Sequence, residues 1–316
     1  MTNKALAVAA AVLSAGLLAA PAWAAAPRDP EEAVVETLVV TAKVTGPAWW
    51  RISKGDSVVW VMGTPLGMPR GFKWDTKYLD IRLNGAHQVI TPSTGKANIF
   101  ALPALLRLRG KMKSKTALED TLPPDLKARF LAGARTLHQD PGRYDHWNAL
   151  FAAFLMIADF RKSAGMDNFE PTPTINRVVR GHGVRSKPAA VYKAMPILKE
   201  GVAEMNPELE QACLAEALGE IEGGTQRARH AAEGWARGDV RTALTAATGF
   251  DHCLNMFPEG AHLSRQAMAD EANAIGAALA QPGTSVAILP LRPLLAEGGV
   301  LEQLRAKGYA IRTPDR

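Results

Sequence analysis

The chain has 316 residues, 47% of them apolar and 22% charged, and its formal net charge is +6. These proportions fit an ordinary globular protein, long enough for one large domain or two small ones. The densest basic stretch, residues 105–115 (LLRLRGKMKSK), contains no aromatic residues that could stack on bases. We interpret it as a solvated face, which argues against a nucleic-acid partner.

Residues 1–24 have the three parts of a secretory signal peptide. Lys4 supplies an early positive charge, an apolar stretch of roughly a dozen residues follows, and Ala22-Trp23-Ala24 forms a small-residue cleavage site. A membrane anchor is the alternative, but the apolar stretch is short for a span of about 20 residues. We predict that the segment is cleaved and that the mature chain is periplasmic, without a transmembrane helix.

Residues 25–46 are rich in alanine and proline, then acidic, then rich in β-prone residues. This composition predicts an extended linker ahead of the folded domain. Within it, residues 36–42 (ETLVVTA) resemble the TonB box of outer-membrane receptors, which binds by adding a strand to a partner sheet. The alternative is an edge strand of the protein's own sheet.

The folded domain is predicted to span residues 47–316. Its first element is a β-hairpin, because two apolar, β-prone runs flank the turn residues Lys54-Gly55-Asp56. The predicted elements of this part are strands over 48–53 and 57–63, a short helix over 74–85 and a short strand over 87–92.

Residues 101–278 carry mainly helical periodicity, with predicted breaks at 223–224, 237–239 and 258–260. Residues 284–313 then have the pattern strand, loop, helix, strand. From this order we predict an α/β (α+β) fold. Its small mixed sheet is built from N- and C-terminal strands, and a large helical insertion separates them.

The chain has two cysteines, Cys213 and Cys253. An oxidising compartment would permit a disulfide between them. They lie on separate predicted helices, so the sequence leaves open whether they are close enough to pair. Neither has the spacing of a metal ligand.

Several blocks, taken in order, resemble the TraB/GumN family. They are the Trp-rich hairpin ending in Gly63-Thr64, residues 176–188 (NRVVRGHGVRSKP), the motif Trp235-x-x-Gly238-Asp239, Arg265, and residues 283–311 (GTSVAILPLRPLLAEGGVLEQLRAKGYAI). The resemblance covers about residues 47–316. It implies a fold related to the Tiki-type metalloproteases and to the ChaN and erythromycin-esterase-like proteins.

The resemblance also implies a metal-dependent hydrolytic site built from two Gly-x-x-His motifs, a Glu at the end of an early strand and an Arg-Asn motif. This chain departs from that pattern at each ligand position. We name the matched positions the vestigial cleft: Gly63, Thr64, Leu66 (first His), Thr91-Pro92 (Glu), Arg265-Gln266 (Arg-Asn) and Pro293 (second His). Leucine and proline cannot coordinate a metal, so we predict a site without metal or other cofactor.

Other residues offer no second catalytic pattern. No two of the seven histidines have His-x-x-x-His spacing, and the sequence contains no Gly-x-Ser-x-Gly elbow. We therefore interpret the histidines as surface or capping residues. We interpret Trp60, Trp74 and Trp235 as core residues, with a stacking platform for a sugar or peptide as the alternative.

Two functions are compatible with these patterns. The first is a non-catalytic periplasmic protein that binds an unknown peptide, polysaccharide or envelope protein in the vestigial cleft, with a TonB-system contact through residues 36–42. The second is a metal-dependent protease or hydrolase with a rebuilt site. A histidine beside a carboxylate in the vestigial cleft would favour the second, and His87 and His182 are the candidates.

Overall fold

The computed structural model describes residues 29–41, 45–96, 102–167, 170–246 and 249–313. The predicted signal peptide (1–24), the start of the predicted linker (25–28) and the last residue of the TonB-box-like segment, Ala42, lie outside the described residues. Within the described residues, no helix is both long enough and apolar enough to cross a membrane.

Strands and helices alternate at both ends of the chain, and helices dominate the middle. The strands are β1 (Trp49–Lys54), β2 (Ser57–Thr64), β3 (Met68–Pro69), β4 (Ala86–Thr91), β5 (Thr94–Lys96), β6 (Met166–Asp167), β7 (Arg185–Pro188), β8 (Val191–Lys193), β9 (Gly283–Pro290) and β10 (Ala310–Arg312). The α-helices are α1 (Lys77–Leu83), α2 (Leu102–Lys111), α3 (Leu118–Thr121), α4 (Pro124–Thr136), α5 (Ala149–Ser163), α6 (Thr172–Gly181), α7 (Ala194–Ala203), α8 (Pro207–Ala236), α9 (Val240–Ala243), α10 (Gly249–Asn255), α11 (Pro258–Ala278), α12 (Leu291–Leu295) and α13 (Val300–Ala306). Short 3-10 helices lie at Glu36–Leu38 and Pro141–Arg143.

The main sheet has the strand order β10-β1-β2-β9-β4-β7 among the described residues. The first two pairs, β10 with β1 and β1 with β2, are antiparallel, whereas β2, β9, β4 and β7 run parallel. This confirms the predicted α/β class and the mixed sheet of N- and C-terminal strands. The edge strand β7 comes from the middle of the chain, a contribution that the sequence pattern did not assign to this sheet.

The hairpin and β9 follow directly from their residue patterns. The β1–β2 turn needs only Gly55 and Asp56 between the paired residues Lys54 and Ser57, and Gly55 supplies the positive φ (55°). The second half of strand β9 (residues 286–289) is a continuous, buried apolar run, as expected of a strand between two parallel neighbours.

The helical insertion has a hydrophobic core of its own. Helices α4, α5 and α8 meet around the buried side chains of Phe130, Tyr144, Met156 and Leu218. Helix α8 is bent at Gly224, whose φ of 66° is non-helical, at the predicted break. The insertion therefore forms a helical layer whose core is separate from that of the sheet.

The two cysteines form a disulfide, which settles the pairing that the sequence left open. Their Cα atoms are 4.9 Å apart, and both side chains are fully buried beside Phe257. The bond joins α8 to α10, so it fixes the short helix that carries His252 against the long helix of the insertion.

The N-terminal segment 29–41 differs from the extended linker that its composition predicts. Leu38 is fully buried in the main core, within a 3-10 turn. Backbone hydrogen bonds tie the segment to the domain at two places, from Val35 N–H to Leu295 O (2.9 Å) and from Val240 N–H to Val40 O (3.1 Å). The physical reason is the burial of apolar surface. The valines and the leucine of this segment would be exposed to water in a linker, and here they pack against the main core instead.

Candidate functional site

The strands that carry the family-like motifs end at one edge of the sheet. Thr64 pairs with Pro290 at the ends of β2 and β9, and Thr91 pairs with Pro188 at the ends of β4 and β7. All four strands are parallel, so these are carboxyl ends. In open α/β sheets this edge is where ligands bind.

A small cavity lies at this edge, which we name the strand-end cavity. Its volume is about 30 Å³, room for about two water molecules. Its lining residues are Asp29, Glu31, Thr64, Pro65, Leu66, Ala243, Leu244, Ala246, His252, Asn255, Leu291 and Arg292. Leu66 is 44% exposed at the position where the resemblance predicts the first His.

The strand-end cavity adjoins a larger space along α8, which we name the polar groove. The two share Leu244, Ala246 and Arg292 in their linings. The polar groove has a volume of about 460 Å³, and its remaining lining residues are Glu216, Gly219, Glu220, Glu222, Gly223, Arg227 and Thr245. Together they form a cleft between the sheet edge and the helical insertion.

The predicted vestigial positions only partly converge on this cleft. Thr64 and Leu66 line the strand-end cavity, and Pro293 follows its lining residue Arg292 without lining it. Gly63 lies just behind, where its carbonyl accepts a hydrogen bond from buried Trp235 Nε1 (2.6 Å). Arg265 and Gln266 are exposed on α11 and line neither space.

A histidine and a carboxylate do meet in the cleft, and neither was among the predicted site residues. His252 Nδ1 lies 2.6 Å from Asp29 Oδ2, and Asn255 Nδ2 donates to Asp29 Oδ1 at 2.9 Å. The Asp29 side chain is only 3% exposed. A buried carboxylate that holds Nδ1 fixes the orientation of the imidazole and leaves Nε2 as the other functional nitrogen.

Two further charged groups stand around Asp29. The guanidinium of Arg292 donates from Nη2 to Leu244 O at 2.6 Å, and burial lowers its pKa while the nearby carboxylates of Glu31 and Asp29 act in the opposite direction. Glu31 accepts a hydrogen bond from Ser264 Oγ at 2.7 Å. The cavity is thus bordered by two carboxylates, one guanidinium and one imidazole.

A second buried carboxyl group lies at the end of β4, close to the position where the resemblance predicts Glu. Glu271 of α11 is 3% exposed, and its Oε1 accepts a hydrogen bond from Ser93 N–H at 3.1 Å. Its Oε2 is buried and has no hydrogen-bond partner among the described residues. Burial is the main cause that raises the pKa of Glu271 to about 7; the hydrogen bond from Ser93 opposes this shift, and the charges of Glu31 and Asp270 contribute to it.

The histidines singled out from the sequence lie elsewhere. His182 Nε2 lies 2.8 Å from Asp80 Oδ1 on the surface between α6 and α1. His87 is near Gly283, at the amino ends of β4 and β9, which is the opposite edge of the sheet. Neither can act at the carboxyl edge.

Trp235 is buried in the main core, whereas Trp60 and Trp74 are half-buried and pack against that core. Trp235 is 2% exposed and meets Trp74 edge to face, with 5.0 Å between ring centroids. Trp60 lies under the Arg82 guanidinium, 4.0 Å from it. A ring as buried as Trp235 cannot stack on a ligand, so the alternative of a binding platform is wrong for this residue.

The residues at the matched positions do not fit the metal that the family resemblance implies. Leu66, Thr91, Pro92 and Pro293 offer no imidazole or carboxylate donor. Among the described residues, no group of three or more His, Cys, Asp and Glu side chains is arranged to hold a metal ion.

Comparison with known proteins gives the family. The model of the TraB/PrgY/gumN family matches residues 48–313, which is most of the chain. No curated protein and no solved structure gives a significant match. Since the match spans both the sheet and the helical insertion, the chain belongs to the TraB/PrgY/gumN family.

Proposed function

We propose that this chain is an exported, periplasmic member of its family that binds a polar ligand, a peptide or a polysaccharide, without the family's metal-dependent hydrolysis. The observation that carries the proposal is Leu66. It lines the strand-end cavity at the position where the resemblance implies a metal-binding His, and an alkyl side chain there offers no donor.

Binding is supported by the shape and charge of the cleft. The polar groove is open and about 460 Å³ in volume, within the roughly 300–1,000 Å³ of ligand sites. Glu216, Glu222, Arg227 and Arg292 present charges of both signs along it. Such a lining suits a ligand with several hydroxyl, amide or charged groups, as in a glycan or a peptide.

Export is supported by the signal-peptide pattern and by the disulfide. A Cys213–Cys253 bond persists in the periplasm, whereas the cytosol keeps thiols reduced. The TonB-system contact through residues 36–42 stays a prediction. Because Leu38 is buried, the segment would first have to leave the domain before it could add a strand to a partner.

The first test is the metal content of the mature protein, residues 25–316, recovered from the periplasm of an expressing bacterium. Intact mass checks that the chain begins at Ala25. After dialysis against zinc, manganese and cobalt, elemental analysis is expected to find no stoichiometric metal. A near-equimolar metal would contradict the proposal, and loss of that metal in a His252→Ala variant would locate the site in the strand-end cavity.

The Asp29–His252 pair favours a second candidate, a hydrolase with rebuilt chemistry. His252 is oriented by a buried carboxylate and borders the cavity, as a general base requires. The discriminating measurement is turnover of peptide, ester and glycoside reporters by the wild type and by His252→Ala. Under the binding proposal both proteins are equally inactive. Turnover that disappears in His252→Ala would establish the hydrolase.

A further inference from the structure

An apolar groove lies on the helical insertion and shares no lining residue with the strand-end cavity. It is bounded by α5, α7, α10 and α11 and has a volume of about 390 Å³. Among the described residues, Glu259 is the only charged residue in its lining. The apolar lining residues include Phe151, Phe154, Leu198, Val202, Leu254 and Leu263. The volume lies within the range of small-molecule sites, roughly 300–1,000 Å³.

The apolar groove exposes large hydrophobic side chains to solvent. Phe154 is 49% exposed, and Leu198 and Leu254 are each 42% exposed, although all three line the same groove. Single exposed leucines are common, but a concave cluster of this kind marks a binding site. The groove therefore has the character of a site for an apolar group.

Basic residues lie next to the groove in the chain. Met112 lines it, and the exposed Lys111 and Lys113 flank Met112 in the chain. Within the described part of the chain, the ion pairs include neither these lysines nor Arg109. We interpreted the basic stretch 105–115 from the sequence as a solvated face. In the structure, this stretch lies beside an apolar groove.

Three aromatic rings connect the cations to the groove. Arg109 and Lys113 lie over the Trp147 ring, at 5.3 and 5.9 Å from its centroid. The centroids of Trp147 and Phe151 are 4.3 Å apart, and those of Phe151 and Phe154 are 5.9 Å apart. Both phenylalanines line the groove, so a molecule seated there would have its end close to the cations.

We propose that the apolar groove binds the acyl chain of a single-chain anionic lipid, whose headgroup is held by Arg109, Lys111 and Lys113. An apolar lining with cations at one end complements an amphiphile with one chain and a negative head.

The test is calorimetric titration of the mature protein with palmitoyl lysophosphatidylglycerol below its micellar concentration. Saturable binding of one lipid per chain is expected, with weaker binding of the zwitterionic palmitoyl lysophosphatidylcholine. Leu198→Asp places a charge in the groove and is expected to weaken binding roughly tenfold or more. Arg109→Gln with Lys113→Gln should weaken binding of the anionic lipid and leave the zwitterionic one unchanged.

Ile81→Asp is the matched control, because Ile81 is a 54% exposed apolar residue on α1, which does not line the groove. It is expected to bind lipid as the wild type does.

Phe154→Ser supplies a second groove variant if circular dichroism shows that Leu198→Asp does not fold. Absence of saturable binding, or equal binding by folded groove variants and wild type, would overturn the proposal. Binding to phosphatidylglycerol vesicles but not to the single-chain lipid would overturn the proposal and indicate a membrane surface as the partner. Dimerisation of the lipid-free wild type that is lost in Leu198→Asp would overturn it and indicate a second copy of the chain.

Discussion

Replacing Cys213 and Cys253 together with serine is expected to lower the free energy of unfolding by about 4 kcal/mol. The disulfide joins residues 40 positions apart in the chain. In the chain-entropy account, opening a loop of that length gives the unfolded chain the freedom that the bond removes. Both residues are also fully buried, so serine hydroxyls would be desolvated there. Urea unfolding followed by tryptophan fluorescence measures the change.

A reductant provides the control for the cysteine variant. Dithiothreitol should move the unfolding midpoint of the wild type toward that of the double variant and leave the variant itself unchanged. A loss below about 1 kcal/mol would contradict the prediction, since it would mean that the unfolded chain gains little freedom when the bond is absent.

Glu271→Gln is expected to gain stability relative to the wild type as the pH rises. Burial raises the pKa of Glu271 from 4.5 to about 7, so between these values the folded chain holds a proton that the unfolded chain releases. The wild type therefore loses stability from this group as the pH rises from 4.5 to 7, and the loss is constant above pH 7. The free energy of unfolding of Glu271→Gln, relative to that of the wild type, is therefore expected to rise by roughly 3 kcal/mol between pH 4.5 and pH 7.

The measurement is the free energy of unfolding of both proteins at intervals from pH 4.5 to pH 8. Glutamine retains an oxygen for the Ser93 N–H, and its unpaired amide group adds a cost that does not depend on pH. Glu297→Gln, a change of an exposed carboxylate, is the matched control and is expected to follow the wild type throughout. If the difference in free energy of unfolding between Glu271→Gln and the wild type does not change with pH, the raised pKa of Glu271 is refuted.

Local sequence patterns were sufficient to predict those features of the fold that neighbouring residues determine. The turn at Gly55, the apolar run of β9 and the bend at Gly224 are all short-range features, and each is found where the sequence predicts it. The order of these elements then predicted the sheet apart from its edge strand β7, because the strands at both ends of the chain need partners.

The candidate site could not be predicted in the same way, because its contacts are long-range. Asp29 and His252 are separated by 223 residues, and no local spacing relates them. Glu271 is different, because a signal was present: it shares a buried helix face with Met268 and Ile275, which lie three residues before it and four residues after it. A carboxyl group on an apolar stripe is an anomaly that could have identified it.

The N-terminal segment defines how much of the chain must be present for the fold to be complete. The family model matches residues 48–313, but the buried Leu38 and the carboxylate that orients His252 both precede that range. The segment also contacts widely separated parts of the chain, since Glu36 pairs with Arg241 and Glu31 accepts a hydrogen bond from Ser264. A fragment cut at the family boundary would leave a hydrophobic vacancy in the core and a histidine without its anchor. The part of the chain that packs as one folded unit is therefore longer than the part that the family model matches.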